Sequence, residues 1–342
     1  MKKISLALAV LCVAALTVCG TEPLLSLIPE GSCGVLSVDF AALWRHPQVA
    51  ESLRRPEIAG ELNELENVLG CRISDVEELL VFVDKSPAES NYIGGLIRSR
   101  AAAKLFSAAA NTDTVNAISR KAAKTGMAGN ETFRSRVEKI GDREVVFFSD
   151  SQKSEASDIG LVALSPEVLL AARRDMLPKM LKAPRITPVA LAAILKARIP
   201  GRYPVWAVWN DPRGRTEEPA KDAQAPKIEE KIIGVSFAFG FSGKEQLDQK
   251  FIASIRCNTR DFASTLGMMI PGYVQMGVAM AFQQKPEIGQ ELIGNFRCNT
   301  KGFDVFVSLF LPKTLSEKLE SFVTDSKVLA APDPVPRDIK AK

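Results

Sequence analysis

The chain has 342 residues and a formal charge of +4, from 44 Lys and Arg against 40 Asp and Glu. With 46% hydrophobic, 25% charged and 7% aromatic residues, it has the make-up of a globular protein and not of a collagen, a coiled-coil rod, a disordered chain or a polytopic membrane protein. A charge this dilute points to no nucleic-acid partner, and the single histidine, His46, rules out sites that need two imidazoles.

Met1-Lys2-Lys3 and the apolar run from Ile4 to Val18 read as an export signal over residues 1–20, with a hydrophobic stretch short for a bilayer span. Val18-Cys19-Gly20 suits cleavage after Gly20, and Leu16-Thr17-Val18-Cys19 resembles a lipobox that would lipidate Cys19. Either route predicts a periplasmic, secreted or envelope-anchored protein, with membrane contact only through an N-terminal lipid. In an oxidising compartment the four remaining cysteines allow three pairings. Cys33 with Cys71 and Cys257 with Cys298 is the expected one, each bridge closing a loop of roughly 40 residues. Four buried thiols are the alternative.

Gly34 to Phe40 reads as a strand, followed by helical residues Ala41 to Arg45 and a restart at Pro47. Ile58, Leu62, Leu65 and Leu69 form one helical stripe that Gly70 ends. Leu79 to Val83 and Tyr92 to Arg98 are predicted strands, and Ala101 to Ala110 a helix. Thr132 to Lys139 and Glu144 to Phe148 flank Gly141-Asp142 as a hairpin, and Ile159 to Leu164 is a strand. Ser165-Pro166-Glu167 and Thr187-Pro188 then read as helix starts.

Tyr203 to Trp209 is a strand, and residues 211–231 an extended polar loop. The last third predicts strands at Ile233 to Phe241, Lys250 to Cys257, Ile293 to Asn299 and Phe303 to Leu311, with helices from Asp261 and Lys313. Repeated strand-strand-helix units imply an α+β fold with antiparallel or mixed sheets, in two domains at 21–183 and 184–329, before a disordered tail at 330–342; Arg-Cys-Asn-Thr at 256–259 and 297–300 hints at two similar halves, but the two copies fall in different registers of their units.

Gly243-Lys244 lacks the remaining residues of a phosphate loop, no cofactor motif is present, and neither G-x-S-x-G nor S-x-x-K occurs. Acids group at Asp75, Glu77 and Glu78, at Asp150, Glu155 and Asp158, and at Glu217 and Glu218; each group is expected to be solvated, and His46 is expected to be a helix-turn residue that is either capping or solvated. Residues 263–284 carry no charge and contain Met268, Met269, Met276 and Met280. That stretch is expected foremost as a buried helix, with an adaptable binding surface as the functional reading. Trp209, beside a polar turn, is a further binding candidate, on the opposite strand face from Trp206.

Ile28-Pro29, Gly34-Val35-Leu36-Ser37-Val38-Asp39 and His46-Pro47, together with the stretch from Leu69-Gly70 to Val83, resemble the start of uncharacterised exported bacterial α+β envelope proteins. The resemblance covers roughly the first 85 residues and implies an envelope protein without bringing catalytic residues. The expectation from the whole chain is an exported, non-catalytic binding or interaction module with an envelope protein or glycan as partner. A carboxylate-dependent envelope hydrolase is the alternative.

Overall fold

The structure, a computed structural model, describes residues 24–25, 27–28, 32–83, 93–124, 132–150, 158–182, 203–210, 231–242 and 248–325. Strand β1 (Gly34–Asp39) leads through α1 (Phe40–Arg45), α2 (Pro47–Leu53) and α3 (Pro56–Leu69) to β2 (Val76–Val83) and β3 (Ile93–Ser99). Helices α4 (Ala102–Ala110) and α5 (Thr112–Lys124) precede β4 (Phe133–Ile140), β5 (Arg143–Asp150), β6 (Ile159–Ser165), β7 (Val168–Arg173) and α6 (Leu177–Lys182). Strands β8 (Val205–Asn210), β9 (Ile232–Ser242) and β10 (Asp248–Cys257) follow. Helices α7 (Arg260–Ala281) and α8 (Pro286–Asn295), strands β11 (Phe296–Lys301) and β12 (Asp304–Leu311), and α9 (Lys313–Asp325) complete the described chain.

The fold is α+β, and the described strands form one antiparallel sheet ordered β11-β12-β10-β9-β8-β1-β2-β3-β7-β6-β5-β4. Strand β8 pairs directly with β1, Trp206 opposite Ser37, so strands from both sides of position 183 share this sheet; residues 183–202 themselves lie outside the described residues. The signal, Cys19, the tail and nearly all of the polar loop lie outside the described residues.

Period-two alternation gives the sheet two apolar faces. On one, Leu36, Val38, Leu79, Val81 and Ile97 pack beneath residues of α1, α3, α4 and α5 such as Phe40, Leu65, Leu105 and Ile118. On the other, Leu80, Phe82, Leu96, Phe147, Val162 and Trp206 pack with Leu24, Ile28, Leu177 and Met180. Burial on both sides explains why Leu79-Leu80-Val81-Phe82-Val83 is a continuous apolar run and not an alternating one. The helix-bearing face continues over the far strands, where Val305, Val307 and Ile255 receive α7 and Leu311 and Phe251 receive α8 and α9.

Gly70 ends α3 in the left-handed conformation at φ 66°, its N–H donating to the Glu66 carbonyl, and Gly141 turns the β4–β5 hairpin at φ 66°. Other expectations fail for tertiary reasons. Ser165-Pro166-Glu167 opens no helix; it turns β6 into β7, since Val168 to Ala172 supply a strand that both apolar faces need. Residues up to Asn295 belong to α8, so β11 begins three residues later than the predicted Ile293.

No disulfide joins the four described cysteines, and the two expected bridges are geometrically excluded. Cys33 donates its N–H to Val83 at one end of the β1–β2 ladder, whereas Cys71 precedes Val76 at the other. The eight residues of β2 put them roughly 20 Å apart, against about 7 Å between Cα atoms for a bridge. Strand β12 separates Cys257 on β10 from Cys298 on β11, so at two strand spacings they stand about 10 Å apart or more. Cys298 also aligns through Val307 with Ala253, four residues short of Cys257.

Burial governs the thiols instead. It pushes Cys71 up to about 11, helped by Asp75 and Glu66 against an opposing Lys104, and pushes Cys257 up to about 11 with Asp304 adding to it. Native protein treated with iodoacetamide at pH 8 is therefore expected to leave Cys71 and Cys257 unmodified, and denatured protein to lose that protection. Intact mass followed by peptide mapping reads the result, and rapid native labelling of either thiol would contradict the packing.

Candidate interaction surface

Helix α7 begins where Thr259, in an extended conformation, accepts the Phe262 N–H with its hydroxyl, and Asp261 sits in the first turn near the positive helix end. One face carries Phe262, Ala263, Leu266 and Ile270, which pack on Cys257, Val305 and Val307, and Val278 and Phe282, which pack on Leu292 and Leu311. That inward row, spaced by about four residues, fixes which way the helix is turned.

Pro271 lies inside the helix and cannot donate to the Gly267 carbonyl, as an ordinary residue would. The Cys298 thiol occupies that role, its Sγ 3.6 Å from the Gly267 oxygen. A Cβ on Gly267 would stand 2.1 Å from the Thr300 hydroxyl oxygen, so glycine lets α7 sit against β11. Cys298 is thus a packed thiol that satisfies a carbonyl freed by proline.

The opposite face is bare. Met268 is 72% exposed, Met269 40%, Tyr273 60%, Met276 56% and Met280 67%. Their positions make one charge-free apolar stripe, contrary to the expectation of a wholly buried helix. A contiguous apolar patch is unusual on the outside of a protein that works alone. Trp209 does not join it: it is half-buried on β8, with Nε1 enclosed and lacking an acceptor.

Among the described residues, Asp75 and Glu78 on one side and Asp158 on the other do not come together. Asp75 closes a short 3-10 turn. Glu78 is not solvated as expected but fully buried on β2, opposite Asp39 across the ladder. Neither of its oxygens has a hydrogen bond, and the Arg98 guanidinium stands 3.8 Å away. Burial pushes Glu78 up to about 8, with Arg98 opposing and Asp39 and Glu77 reinforcing. A carboxyl that is 0% exposed cannot meet a substrate.

Asp158 is likewise buried, not solvated. It accepts hydrogen bonds from Arg136 at 2.9 Å and Ser149 at 2.8 Å, while Arg174 grips Glu138 with both Nη atoms and lies over the Phe147 ring. These charges pin the β4–β7 end of the sheet. The side chain of Asp150, and Glu155, Glu217 and Glu218, lie outside the described residues.

His46 sits at the expected helix turn, ending α1 with its backbone N–H on the Leu43 carbonyl and preceding Pro47 of α2, but it is buried and not solvated. It makes no side-chain cap, and its ring stacks on Phe241 at 3.4 Å between centroids, tying the α1–α2 corner to β9. A shallow depression of about 550 Å³ between α3, α4 and α5 is lined by Asn67, Gly70, Lys104, Ser107, Asn111 and Thr114, among others, and holds no carboxylate. Among the described residues no group of three or more His, Cys, Asp or Glu could hold a metal ion, and no helix is long and apolar enough to cross a membrane.

The sequence singled out the methionines of α7 but not their direction. Comparison with known proteins finds no matching family model, no matching curated protein and no matching solved structure.

Proposed function

We propose that this chain is an exported cell-envelope protein that works by association, with the outer face of α7 docking a protein partner. The observation that carries the reading is the exposed, charge-free stripe from Met268 to Met280 on a helix whose other face is already packed. Methionine is flexible and polarizable and suits surfaces that adapt to a partner's shape. The basic start, the apolar run after it and the Cys19 context support export. The dispersal of Asp75, Glu78 and Asp158 favours association over carboxylate-dependent hydrolysis, which needs two acids flanking one bond.

The test places a photo-crosslinking amino acid at 276, and at exposed Val137 on β4 as a control, in the full chain expressed in a bacterium. Discrete adducts are expected from 276 and not from 137. The intact mass should show a chain starting at lipidated Cys19 or at Thr21. Retention of residues 1–20 on cytosolic protein would overturn export, and a lack of discrete adducts at 276 would overturn docking.

A further inference from the structure

We infer that the partner seated on α7 is a second copy of this chain, packed through an antiparallel α7–α7 contact about a two-fold axis. This rests on the docking reading above and commits it to one occupant.

Apart from Met268, which would fall level with Ala281, the stripe has apolar or glycine positions matched in both directions along the helix. Reversal about the midpoint between Val274 and Gln275 exchanges Met269 with Met280, Gly272 with Gly277 and Tyr273 with Met276. A two-fold interface packs one patch against itself, so each of these pairs would be made twice. In such a pair Met269 lies level with the partner's Met280. Tyr273 lies level with the partner's Met276, a favourable sulfur–aromatic contact.

The glycines supply an independent reason. Gly272 and Gly277 are exposed in the middle of a helix, where glycine is destabilising by about 1 kcal/mol relative to alanine. A Cβ built on either meets nothing within 4 Å, as is also true of Gly60 on α3 and Gly294 on α8, so packing within the chain does not call for them. Gly267 and Gly289 differ: their missing Cβ atoms would meet Thr300, and Val278 and Phe282. Under the two-fold, Gly272 and Gly277 fall at the same level on the two helices and flank the stripe, where small residues let two backbones approach.

Charge and area agree with this occupant. Residues 263–284 hold no charge, so the seam brings no like charges together. Two stripes laid together would bury on the order of 1,200 Å² in total, the lower end of specific interfaces.

Sedimentation of the purified full chain at tens of micromolar should give twice the monomer mass, and Met276→Glu should weaken the dimer at least about tenfold while leaving the circular dichroism spectrum and melting temperature unchanged. Orientation is read by oxidation. Within one helix positions 269 and 280 are about 16 Å apart, too far to bridge. Met269→Cys/Met280→Cys should therefore form a covalent dimer on oxidation, whereas Met269→Cys alone should not.

A monomer at these concentrations, a dimer indifferent to Met276→Glu, or crosslinking of Met269→Cys alone would overturn the inference. So would binding of a monomer to phosphatidylethanolamine–phosphatidylglycerol vesicles, lost in Met276→Glu, which would assign the stripe to a lipid surface. Adducts at 276 in cells with a mass other than that of two copies would overturn the second copy and leave the docking reading standing. No adduct at all would overturn both.

Discussion

Phe82→Ala is expected to lower the free energy of unfolding by about 4 kcal/mol, because it removes a fully buried ring from the centre of the sheet. The ring lies over Gly94, its register partner on β3, and a Cβ on Gly94 would come within 2.4 Å of the ring's Cζ. Gly94→Ala alone should thus destabilise by roughly 2 kcal/mol through overpacking. With the ring gone, the same methyl group points into the space it left. The double variant should cost at least about 1 kcal/mol less than the two single changes added together. Urea unfolding of the four proteins measures this coupling, and strict additivity would show that Gly94 is not there to receive the ring.

Glu78→Gln should stabilise the protein at alkaline pH and change little in acid. The folded state holds Glu78 protonated up to about 8, against an ordinary value of 4.5. The neutral form is therefore the one the fold favours. Its contribution is complete below pH 4.5 and is lost as the pH rises through 8, because the unfolded chain gains by releasing a proton that the folded chain retains. Glutamine keeps the shape and never ionises. At pH 8.5 the variant should gain roughly 3 kcal/mol, or about 6 °C in melting temperature, and at pH 4 almost nothing. Parallel melting profiles for the two proteins between pH 4 and 8.5 would refute the buried-acid account.

Local rules made much of the fold readable. The Ile58, Leu62, Leu65, Leu69 stripe and Gly70 mark α3, and Gly141-Asp142 marks a hairpin, because each is settled by residues that are neighbours in sequence. The errors come where distant contacts decide. Ser-Pro-Glu is as good a helix start as a turn, and only strand partners far along the chain make Val168 to Ala172 a strand. Helix α5, not anticipated, shows a modest apolar row of Val115 and Ile118 among polar residues. His46, Glu78 and Asp158 carry no local sign of burial, since the segments enclosing them come from elsewhere.

For the candidate surface, composition revealed the lack of charge and the methionines. It could not say that Ala263, Leu266 and Ile270 would take the sheet and leave Met269, Tyr273 and Met276 outside. Cysteine spacing misled because loop length says nothing about which strand intervenes.

The central position of β1 between β2 and β8 has a cost in time. β1 is the first of the described strands to be made, and one of its two edges stays unpaired until everything from β2 to α6 has been synthesised and β8 arrives. A chain that enters a new compartment N-terminus first would carry a bare edge of Val35, Ser37 and their neighbours through that interval, open to pairing with other chains.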